Sequence, residues 1–537
     1  MNEDYEYILN QGLVKVTQKK YLESKQFFLN LIEKNKLRYE GYLNLSNILA
    51  LEKKYNEAID LLENYLNKID SHQEIVNGLA THLFNNKDYK KLITHVNENL
   101  SKHDNHILNY LKGYCLNINN NNSEAEIFLK KSLRLNKNFW PSCELLLNIY
   151  DNRSMLSVMR GLIKNSKNHF SDNIKFKYFE SLYLYRTSDY VGADKILNSK
   201  SFTNYIEKNE NTNFLADCYG LLSKNNDKLL NHKQSLDYAL KRNKILIGLD
   251  VNKDINKKDL IQTIETYTNF FDVKSNKFSV SKTRGLKHSN LTFLIGFPRS
   301  GTTLLDTILR SHSKTLVIEE KPYLLNIRHH FFKNHNLSEL INLEEKNKID
   351  LQEKYFNSFK FDPNKTIIDK FPLNLIELGF IKTIFPESKI ILAIRHPLDS
   401  ILSCVLTSFK INEAMLNFEN LETTAFFYNK TFNLMIKYIN FFEIYSHHIK
   451  YENVVLDFDN QIKNLLSYLN LEFEDSIKKF YETAKSREKI HTPSYDQVVK
   501  PLYSSSINRH LNFSNIGKIV PVVEKWIDFF GYKSPKY

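Results

Sequence analysis

The sequence predicts a multi-domain chain in which an all-α helical repeat region precedes an α/β domain with a parallel sheet. Of its eleven prolines, only Pro141 lies before residue 298, so the first half contains almost none of the strongest helix breaker. Similar helical segments recur there every 34 residues. From residue 290 onward, short apolar runs alternate with helical patterns. These changes predict a helical domain over residues 1–276, a basic and polar linker over 277–289 and an α/β domain over 290–537.

The 34-residue spacing is carried by similar helix starts. Tyr21, Tyr55, Tyr89 and Ser123 are evenly spaced, and a related helix begins at Tyr190. Small residues occupy the positions where paired helices must approach closely: Gly12, Ser24, Ser46, Ala58, Ala80 and Ala193. This pattern resembles tetratricopeptide repeats (TPRs), which implies a concave surface for a protein or peptide partner. Repeats beyond about the fourth are degraded, and a non-repetitive helical bundle is the alternative.

Composition narrows the class of protein. Hydrophobic residues make up 42% and charged residues 25% of the 537 residues, which is typical of globular domains. The net charge of +13 fits either a solvated basic surface or an anionic ligand. The four scattered cysteines, the absence of a signal-peptide pattern at the start and the absence of a long apolar run predict a cytoplasmic protein. We expect no metal, no membrane span and no nucleic-acid partner.

The α/β pattern begins with the apolar run LTFLIGF, which predicts a buried parallel strand, and continues with the amphipathic helix TLLDTILRS. A second unit follows, in which the strand TIIDK precedes a helix over residues 374–385 that ends at Pro386, and the strand KIILAIR comes next. Repeated strand–helix–strand units predict a doubly wound α/β domain.

The loop between the first strand and its helix has the spacing of a phosphate-binding loop. Gly296 and Gly301 are separated by four residues, as in the triphosphate-binding sequence G-x-x-x-x-G-K-[ST]. Thr303 falls on the Ser/Thr position, but Thr302 replaces the lysine. Backbone N–H groups and the helix dipole of such a loop favour a phosphate. The missing lysine counts against a nucleotide kinase, which remains an alternative.

The whole string FLIGFPRSGTTLLDTILRSH resembles the 5′-phosphosulfate loop of sulfotransferases, which use 3′-phosphoadenosine 5′-phosphosulfate (PAPS). The resemblance covers about residues 290–532 and is to the bacterial sulfotransferases with N-terminal TPRs, which are related to protein-tyrosine sulfotransferases. It implies a P-loop-like fold and PAPS as the donor substrate. The residues implied to hold the 5′-phosphosulfate are Arg299, Ser300, Gly301, Thr302 and Thr303.

The resemblance also implies a site for the donor's 3′-phosphate. Arg395 ends a predicted strand, at the edge of the sheet where ligands of open α/β folds bind, and Ser403 follows eight residues later. This pair is similar to the family's 3′-phosphate motif. Arg509 matches a basic residue on the same side, and Tyr451 corresponds to a tyrosine that contacts the donor.

The same relationship implies the catalytic residues. Glu320, the second of two adjacent glutamates, lies 21 residues after the loop arginine and is the expected general base, with Glu319 as the alternative. Lys370 ends the strand TIIDK and matches a lysine that neutralises the leaving phosphate. Residues 494–503 resemble a loop that closes over the donor, with Ser494 near the transferred group.

Two departures from the tyrosine-specific enzymes leave the acceptor open. Thr407 stands where they have a further arginine, and Lys321 and Pro322 follow the glutamate pair in place of a Thr-x-Arg pattern. Protein tyrosine, a glycan and a small hydroxylated molecule are all consistent acceptors. A TPR scaffold that has lost catalysis is the remaining alternative.

Overall fold

The computed structural model describes residues 2–69, 71–209, 212–252, 254–274, 290–331, 339–340, 343–486 and 498–535. The predicted linker over 277–289 and the predicted site residue Ser494 lie outside these ranges. The described chain forms two compact units, Met1–Thr203 and Asn204–Tyr537.

The first unit is entirely helical in its described residues, as predicted. Its helices are α1 (Asn2–Thr17), α2 (Tyr21–Lys34), α3 (Tyr39–Leu51), α4 (Tyr55–Lys68), α5 (Gln73–Asn85), α6 (Tyr89–Asn99), α7 (His106–Ile118), α8 (Asn122–Leu135), α9 (Trp140–Asn152), α10 (Leu156–Phe170), α11 (Ile174–Arg186) and α12 (Tyr190–Leu197). They form successive pairs, and three residues separate the two helices of each pair. Helix α13 (Lys200–Lys208) spans the division between the units.

The turn within each pair has the same backbone conformation. Its central residue has a positive φ, and the next N–H donates to a carbonyl near the end of the preceding helix, as Lys54 does to Leu49. This left-handed cap satisfies helix carbonyls that would otherwise lack a donor. The central residues are Lys19, Lys53, Lys87, Asn120, Ser154 and Ser188. Their spacing of 33 or 34 residues confirms the repeat and extends it beyond the fourth.

Small residues allow the paired helices to approach closely. Ser24, Ala58 and Ala193 have no exposed surface, and the Ser24 hydroxyl donates to the Gly12 carbonyl oxygen at 3.0 Å. A Cβ atom at Gly12 would lie 2.6 Å from Cε1 of Phe28. The predicted small-residue positions therefore lie where the helices are in direct contact.

The second unit contains a five-stranded sheet whose pairings are all parallel, in agreement with the prediction. The strands are β1 (Leu291–Gly296), β2 (Thr315–Glu319), β3 (Thr366–Lys370), β4 (Lys389–Ile394) and β5 (Ser446–Lys450). Their order across the sheet is β2-β3-β1-β4-β5. Because the strands are parallel, all five carboxyl ends meet at one edge.

Apolar side chains cover both faces of this sheet. The helices of the second unit are α14 (Asn213–Lys228), α15 (His232–Gly248), α16 (Lys257–Lys274), α17 (Thr302–Arg310), α18 (Tyr323–Phe331), α19 (Glu345–Phe356), α20 (Leu378–Ile384), α21 (Pro397–Leu406), α22 (Leu421–Phe442), α23 (Tyr451–Leu456), α24 (Phe458–Leu469), α25 (Phe480–Ser486) and α26 (Val520–Phe529). Phe293 and Ile295 of β1 belong to one apolar cluster, while Leu294 belongs to the other. This alternation confirms the doubly wound arrangement.

One predicted helix is shorter than expected. The segment 374–385 begins in a 3₁₀ turn, Pro372–Leu375, and the α-helix α20 starts only at Leu378. Pro372 lies in the first turn of the 3₁₀ segment, where no backbone N–H is needed.

Three helices that precede residue 276 lie in the second unit. Ile264, Tyr267 and Phe271 of α16 are buried in the same apolar cluster as Tyr438 of α22. Contacts within each unit place the division of the chain between Thr203 and Asn204. The predicted limits 1–276, 277–289 and 290–537 stay predictions. In the described part of the chain, no helix combines the length and apolarity required to cross a membrane.

Candidate active site

A cavity of about 1160 Å³ lies at the carboxyl edge of the sheet. Its walls include the loop after β1, residues that follow β2, β4 and β5, and one face of α16. This volume exceeds the range usual for ligand sites, about 300–1,000 Å³, and so leaves room for two substrates. No group of metal-ligating side chains occurs among the described residues.

The loop after β1 has the backbone expected of a phosphate cradle. Arg299 and Gly301 both have positive φ, 71° and 92°, which turns the chain sharply into α17. A Cβ atom at Gly296 would lie 2.5 Å from the carbonyl oxygen of Ala393, so the neighbouring strand leaves no space for a side chain. Thr302 and Thr303 begin α17 and line the cavity.

Arg299 contacts Ser403, the residue predicted to bind the donor's 3′-phosphate. Its Nε donates to the Ser403 hydroxyl at 3.1 Å, and both residues line the cavity. Burial, with a smaller effect of the nearby Arg395 charge, lowers the pKa of Arg299 to about 10, so its guanidinium is charged at neutral pH. Ser300 differs: it is buried, and its hydroxyl lies 3.3 Å from that of Ser400.

Arg395 joins the phosphate loop to the segment after residue 498. It donates from Nη1 to the Arg299 carbonyl at 3.1 Å and from Nη2 to the Ser506 carbonyl at 2.6 Å. Its guanidinium also lies 5.0 Å from the ring centroid of Tyr451. The buried Nε of Arg395 has no hydrogen-bond acceptor among the described residues. Because buried donors normally have a partner, we expect a ligand to supply the acceptor.

Arg509 is one of four arginines that line the cavity, and it lies close to Arg299 and Arg395, whereas the fourth, Arg328, belongs to α18. Nη2 of Arg509 lies 2.7 Å from Oδ1 of Asp227 in α14, a close ion pair without the alignment of a good hydrogen bond. Its guanidinium lies 5.8 Å from the ring centroid of Phe513. With Arg299 and Arg395 it gives this side of the cavity a positive charge suited to phosphate groups.

Glu320 and Lys370 lie together at the ends of β2 and β3. Lys370 is fully buried, and its Nζ contacts Oε1 of Glu320 at 2.6 Å. Oε1 of Glu319 lies at 3.5 Å and Oδ2 of Asp306 at 3.8 Å from the same ammonium. The side chain of Glu320 is 35% exposed and lines the cavity, whereas that of Glu319 is 7% exposed and does not.

The backbone at Glu320 explains why its side chain faces the cavity. Its N–H donates to the Lys370 carbonyl at 2.8 Å and continues the β2–β3 ladder by one bond. Its φ of 47° is unusual for a residue other than glycine and turns the chain at that point. Such strained conformations concentrate at functional sites.

Next to Arg395 lies a buried polar cluster formed by His396, Asp399, Glu452 and His510. The N–H of the neighbouring His396 donates to Glu452 at 2.9 Å, and the His396 ring stacks on that of His510 at 4.2 Å. His510 in turn donates its N–H to Asp399 at 2.8 Å. Burial, reinforced by His510, lowers the pKa of His396 to about 4 and keeps it neutral at neutral pH. The cluster ties the start of α21 to the segment that carries Arg509.

The structure thus brings most of the predicted residues to one cavity, although their roles stay predictions. Those that line it are Arg299, Gly301, Thr302, Thr303, Glu320, Arg395, Ser403, Tyr451 and Arg509. Ser300 and Lys370 are buried directly behind the lining. Ser494 lies outside the described residues.

Sequence reasoning missed several residues of the site. The position of Asp306 could have been noticed in the sequence, because it is a carboxylate within an otherwise apolar helix face. In the structure it is fully buried. No sequence pattern indicated the other residues, which precede the predicted linker: Asp227 and the cavity-lining Asp259, Thr263 and Thr266.

Comparison with known proteins relates part of the α/β unit to a family. Residues 292–475 match the model of the Sulfotransferase family. The match lies within the second unit, which follows a TPR-like helical repeat along the chain.

Particular relatives are distant. An uncharacterized protein of Aquifex aeolicus (strain VF5) is 25% identical over 312 residues, which are 56% of this chain and 39% of that protein. Protein-tyrosine sulfotransferase 1 of Danio rerio is 25% identical over 241 residues, 42% of this chain and 66% of the relative. The chain thus spans less than two thirds of either relative's length. A tetratricopeptide repeat protein from Parabacteroides merdae ATCC 43184 is similar in structure, with a TM-score of 0.35 and 15% identity, over 47% of this chain and 97% of that one.

Proposed function

We propose that this chain is a PAPS-dependent sulfotransferase that transfers a sulfuryl group to an acceptor hydroxyl. The observation that carries the proposal is the cavity itself, where the Glu320 carboxylate faces the same space as the guanidiniums of Arg299, Arg395 and Arg509. A base beside an anion site is the arrangement that sulfuryl transfer from a phosphorylated donor requires.

In this proposal the loop Arg299–Thr303 binds the 5′-phosphosulfate through its backbone N–H groups, its hydroxyls and the N-terminus of α17. Arg395, Ser403 and Arg509 bind the 3′-phosphate, and Tyr451 contacts the donor. The protein's own cations neutralise the donor's charge, so the proposed reaction needs no metal ion.

The chemical step follows from the Glu320–Lys370 pair. The acceptor oxygen attacks sulfur as its proton passes to Glu320, and the bond between sulfur and the bridging phosphate oxygen breaks. The products are a sulfated acceptor, adenosine 3′,5′-bisphosphate and a proton. As Glu320 takes up the proton it loses the charge that pairs with Lys370 at 2.6 Å. The ammonium then stabilises the negative charge that develops on the leaving oxygen.

The acceptor binds beside Glu320, because the base must reach its hydroxyl. Besides the residues proposed to bind the donor, the cavity is lined by Asp259, Thr263, Thr266, Glu413, Arg328, His329 and Lys410. A lining with hydroxyls and charges of both signs suits a polar hydroxylated acceptor, whether a glycan, a small molecule or a protein tyrosine.

The test is an acceptor screen with ³⁵S-labelled PAPS, in which the wild-type chain and Glu320→Ala are compared. We expect labelled product with the wild type and loss of most transfer in the variant. Unchanged transfer by Glu320→Ala would remove the proposed mechanism. Failure to label any acceptor would favour the alternative of a non-catalytic scaffold, whose helical repeat binds a protein or peptide partner.

A further inference from the structure

The helical hairpin α14–α15 contacts both segments that carry the proposed 3′-phosphate residues. Its turn has the same left-handed central residue as the repeat turns, here Leu230, yet the hairpin lies in the second unit. Helix α15 packs against α21, which carries Ser403, and α14 contacts Arg509. Sequence reasoning gave this hairpin no role in the site.

Arg242 of α15 caps the C-terminus of α21. It is 1% exposed, and its guanidinium donates to the carbonyls of Val405 at 2.8 Å, Leu406 at 3.1 Å and Thr407 at 3.0 Å. The last carbonyls of a helix lack intrahelical donors and carry partial negative charge, so a buried cation there stabilises the helix end. Burial lowers the pKa of Arg242 to about 10, which leaves it charged at neutral pH.

Asn243 extends the same contact. Its Nδ2 lies 3.0 Å from the Val405 carbonyl and 3.0 Å from that of Phe418, and its Oδ1 accepts from Arg242 at 2.8 Å. The end of α21 is therefore held by side chains from one turn of α15. Ser403, whose hydroxyl accepts from Arg299, lies only two residues before Val405. A shift of the helix end would move this hydroxyl relative to the phosphate loop.

On the other helix of the hairpin, Asp227 holds Arg509. The ion pair of 2.7 Å fixes one end of the Arg509 guanidinium, and the whole side chain, which lines the cavity, is 27% exposed. His232, at the start of α15, packs its ring 4.9 Å from that of Phe513, which is four residues after Arg509. Two contacts from the hairpin thus hold the segment that carries the third arginine.

We propose that the α14–α15 hairpin is part of the donor site, with Arg242 and Asp227 as positioning residues for recognition of the 3′-phosphate. Arg242 fixes Ser403 through α21, and Asp227 fixes the guanidinium of Arg509. This inference rests on the proposed function, because it assumes that the ligand carries a 3′-phosphate.

The test compares binding of adenosine 3′,5′-bisphosphate with that of adenosine 5′-monophosphate, since the two differ only in the 3′-phosphate. In Arg242→Met we expect the preference for the bisphosphate to fall about tenfold, in keeping with the loss of charge-assisted contacts. Binding of the monophosphate stays nearly constant. Arg242→Lys, which keeps a donor and the charge, restores part of the preference.

Lys382→Met is a matched control for general destabilisation. Lys382 is a half-buried cation that donates to the Ser388 carbonyl at 3.0 Å after the end of α20, and it does not line the cavity. Thermal denaturation of both variants separates folding from binding. A preference retained in Arg242→Met, or lost equally in Lys382→Met, overturns the role of Arg242. A wild-type chain without any preference for the bisphosphate contradicts the proposed function itself.

A double-mutant cycle tests the second contact. We expect Asp227→Asn to weaken bisphosphate binding about threefold to tenfold in the wild-type background and to have no effect in Arg509→Met. Tighter binding by Asp227→Asn would mean that the carboxylate competes with the phosphate. That result, or equal effects in both backgrounds, overturns the role of Asp227.

Discussion

Lys370 is fully buried, and three carboxylates lie within 3.8 Å of its Nζ atom. A buried ammonium needs such partners, because the cost of removing its charge from water is several kcal/mol. Of the three carboxylates, only that of Glu320 faces the cavity. Glu320 is therefore the group in this cluster that can exchange a proton with an acceptor.

We predict that Glu320→Gln lowers kcat about a hundredfold or more, because the amide cannot accept the acceptor's proton. The KM for PAPS changes little, since Glu320 lies outside the phosphate loop. Glu319→Gln is the matched variant: its side chain also lies near Lys370 but does not line the cavity. Steady-state kinetics measure both. A larger loss in Glu319→Gln would reverse the assignment of the base.

Asp369, the residue before Lys370, makes the stability of the fold depend on pH. Burial raises the pKa of Asp369 to about 7, although Tyr355 donates to the carboxyl at 2.6 Å. Between about pH 4 and 7 the folded chain holds a proton that the unfolded chain has lost, so this group's contribution to stability falls as pH rises.

Asp369→Asn removes this dependence. We predict that its free energy of unfolding, relative to the wild type, increases by up to about 1.4 kcal/mol per pH unit as the pH rises from 4 to 7. Denaturant unfolding at several pH values measures the difference, with the exposed Asp362→Asn as a control. A difference that is constant or falls with pH would contradict the assigned pKa.

Some of the site residues could be predicted from sequence and others could not. Glu320 and Arg395 have recognisable spacings from the phosphate loop, and they do line one cavity. The pairing of Asp227 with Arg509 joins residues far apart in the chain, and nothing local in either segment indicates it. The carboxylates of Asp306 and Glu319 around Lys370 were equally unpredictable, because they lie on other elements of the fold.

Among the elements, the loop between β1 and α17 was the best predicted. Its conformation includes Gly296, where β4 comes so close that a Cβ atom would lie 2.5 Å from a backbone oxygen. The repeat turns were only partly predicted. Helix α10 opens with Leu156 rather than tyrosine, so its repeat escaped the sequence pattern, although Ser154 has the same left-handed turn.

We predict that Gly296→Ala lowers the free energy of unfolding by about 2 kcal/mol, because backbone atoms of two paired strands must separate. Gly248→Ala is the control in the same unit. Gly248 ends α15, and beyond its own helix backbone and chain neighbours no atom lies within 4 Å of the position that an added methyl group would take, so the substitution is neutral or slightly stabilising. Chemical denaturation compares the two. Equal stability of both variants would contradict the close approach of β4.

At the scale of the molecule, the helices before the predicted linker belong to two different units. Phe271 of α16 packs edge-on against Tyr438 at 5.1 Å and Phe441 at 4.9 Å, within the core of the α/β unit. Helical periodicity alone gives no sign of this difference, because a repeat helix and a helix that covers a sheet both show one apolar face.

This division leads to a prediction about fragments. A chain of residues 204–537 retains binding of adenosine 3′,5′-bisphosphate, whereas a chain of residues 290–537 does not, because it lacks α14–α16 and exposes part of its core. Calorimetric titration and circular dichroism of both fragments measure the difference. Full binding by residues 290–537 would show that the helices before the linker are dispensable.

In the proposed function the cavity binds a sulfuryl donor rather than a nucleoside triphosphate. Calorimetric titration of the full chain with adenosine 3′,5′-bisphosphate and with ATP, each with and without magnesium, tests it most directly. We predict tight binding of the bisphosphate that does not depend on magnesium, and weak binding of ATP. Preference for magnesium-bound ATP would contradict the claim and favour a nucleotide kinase.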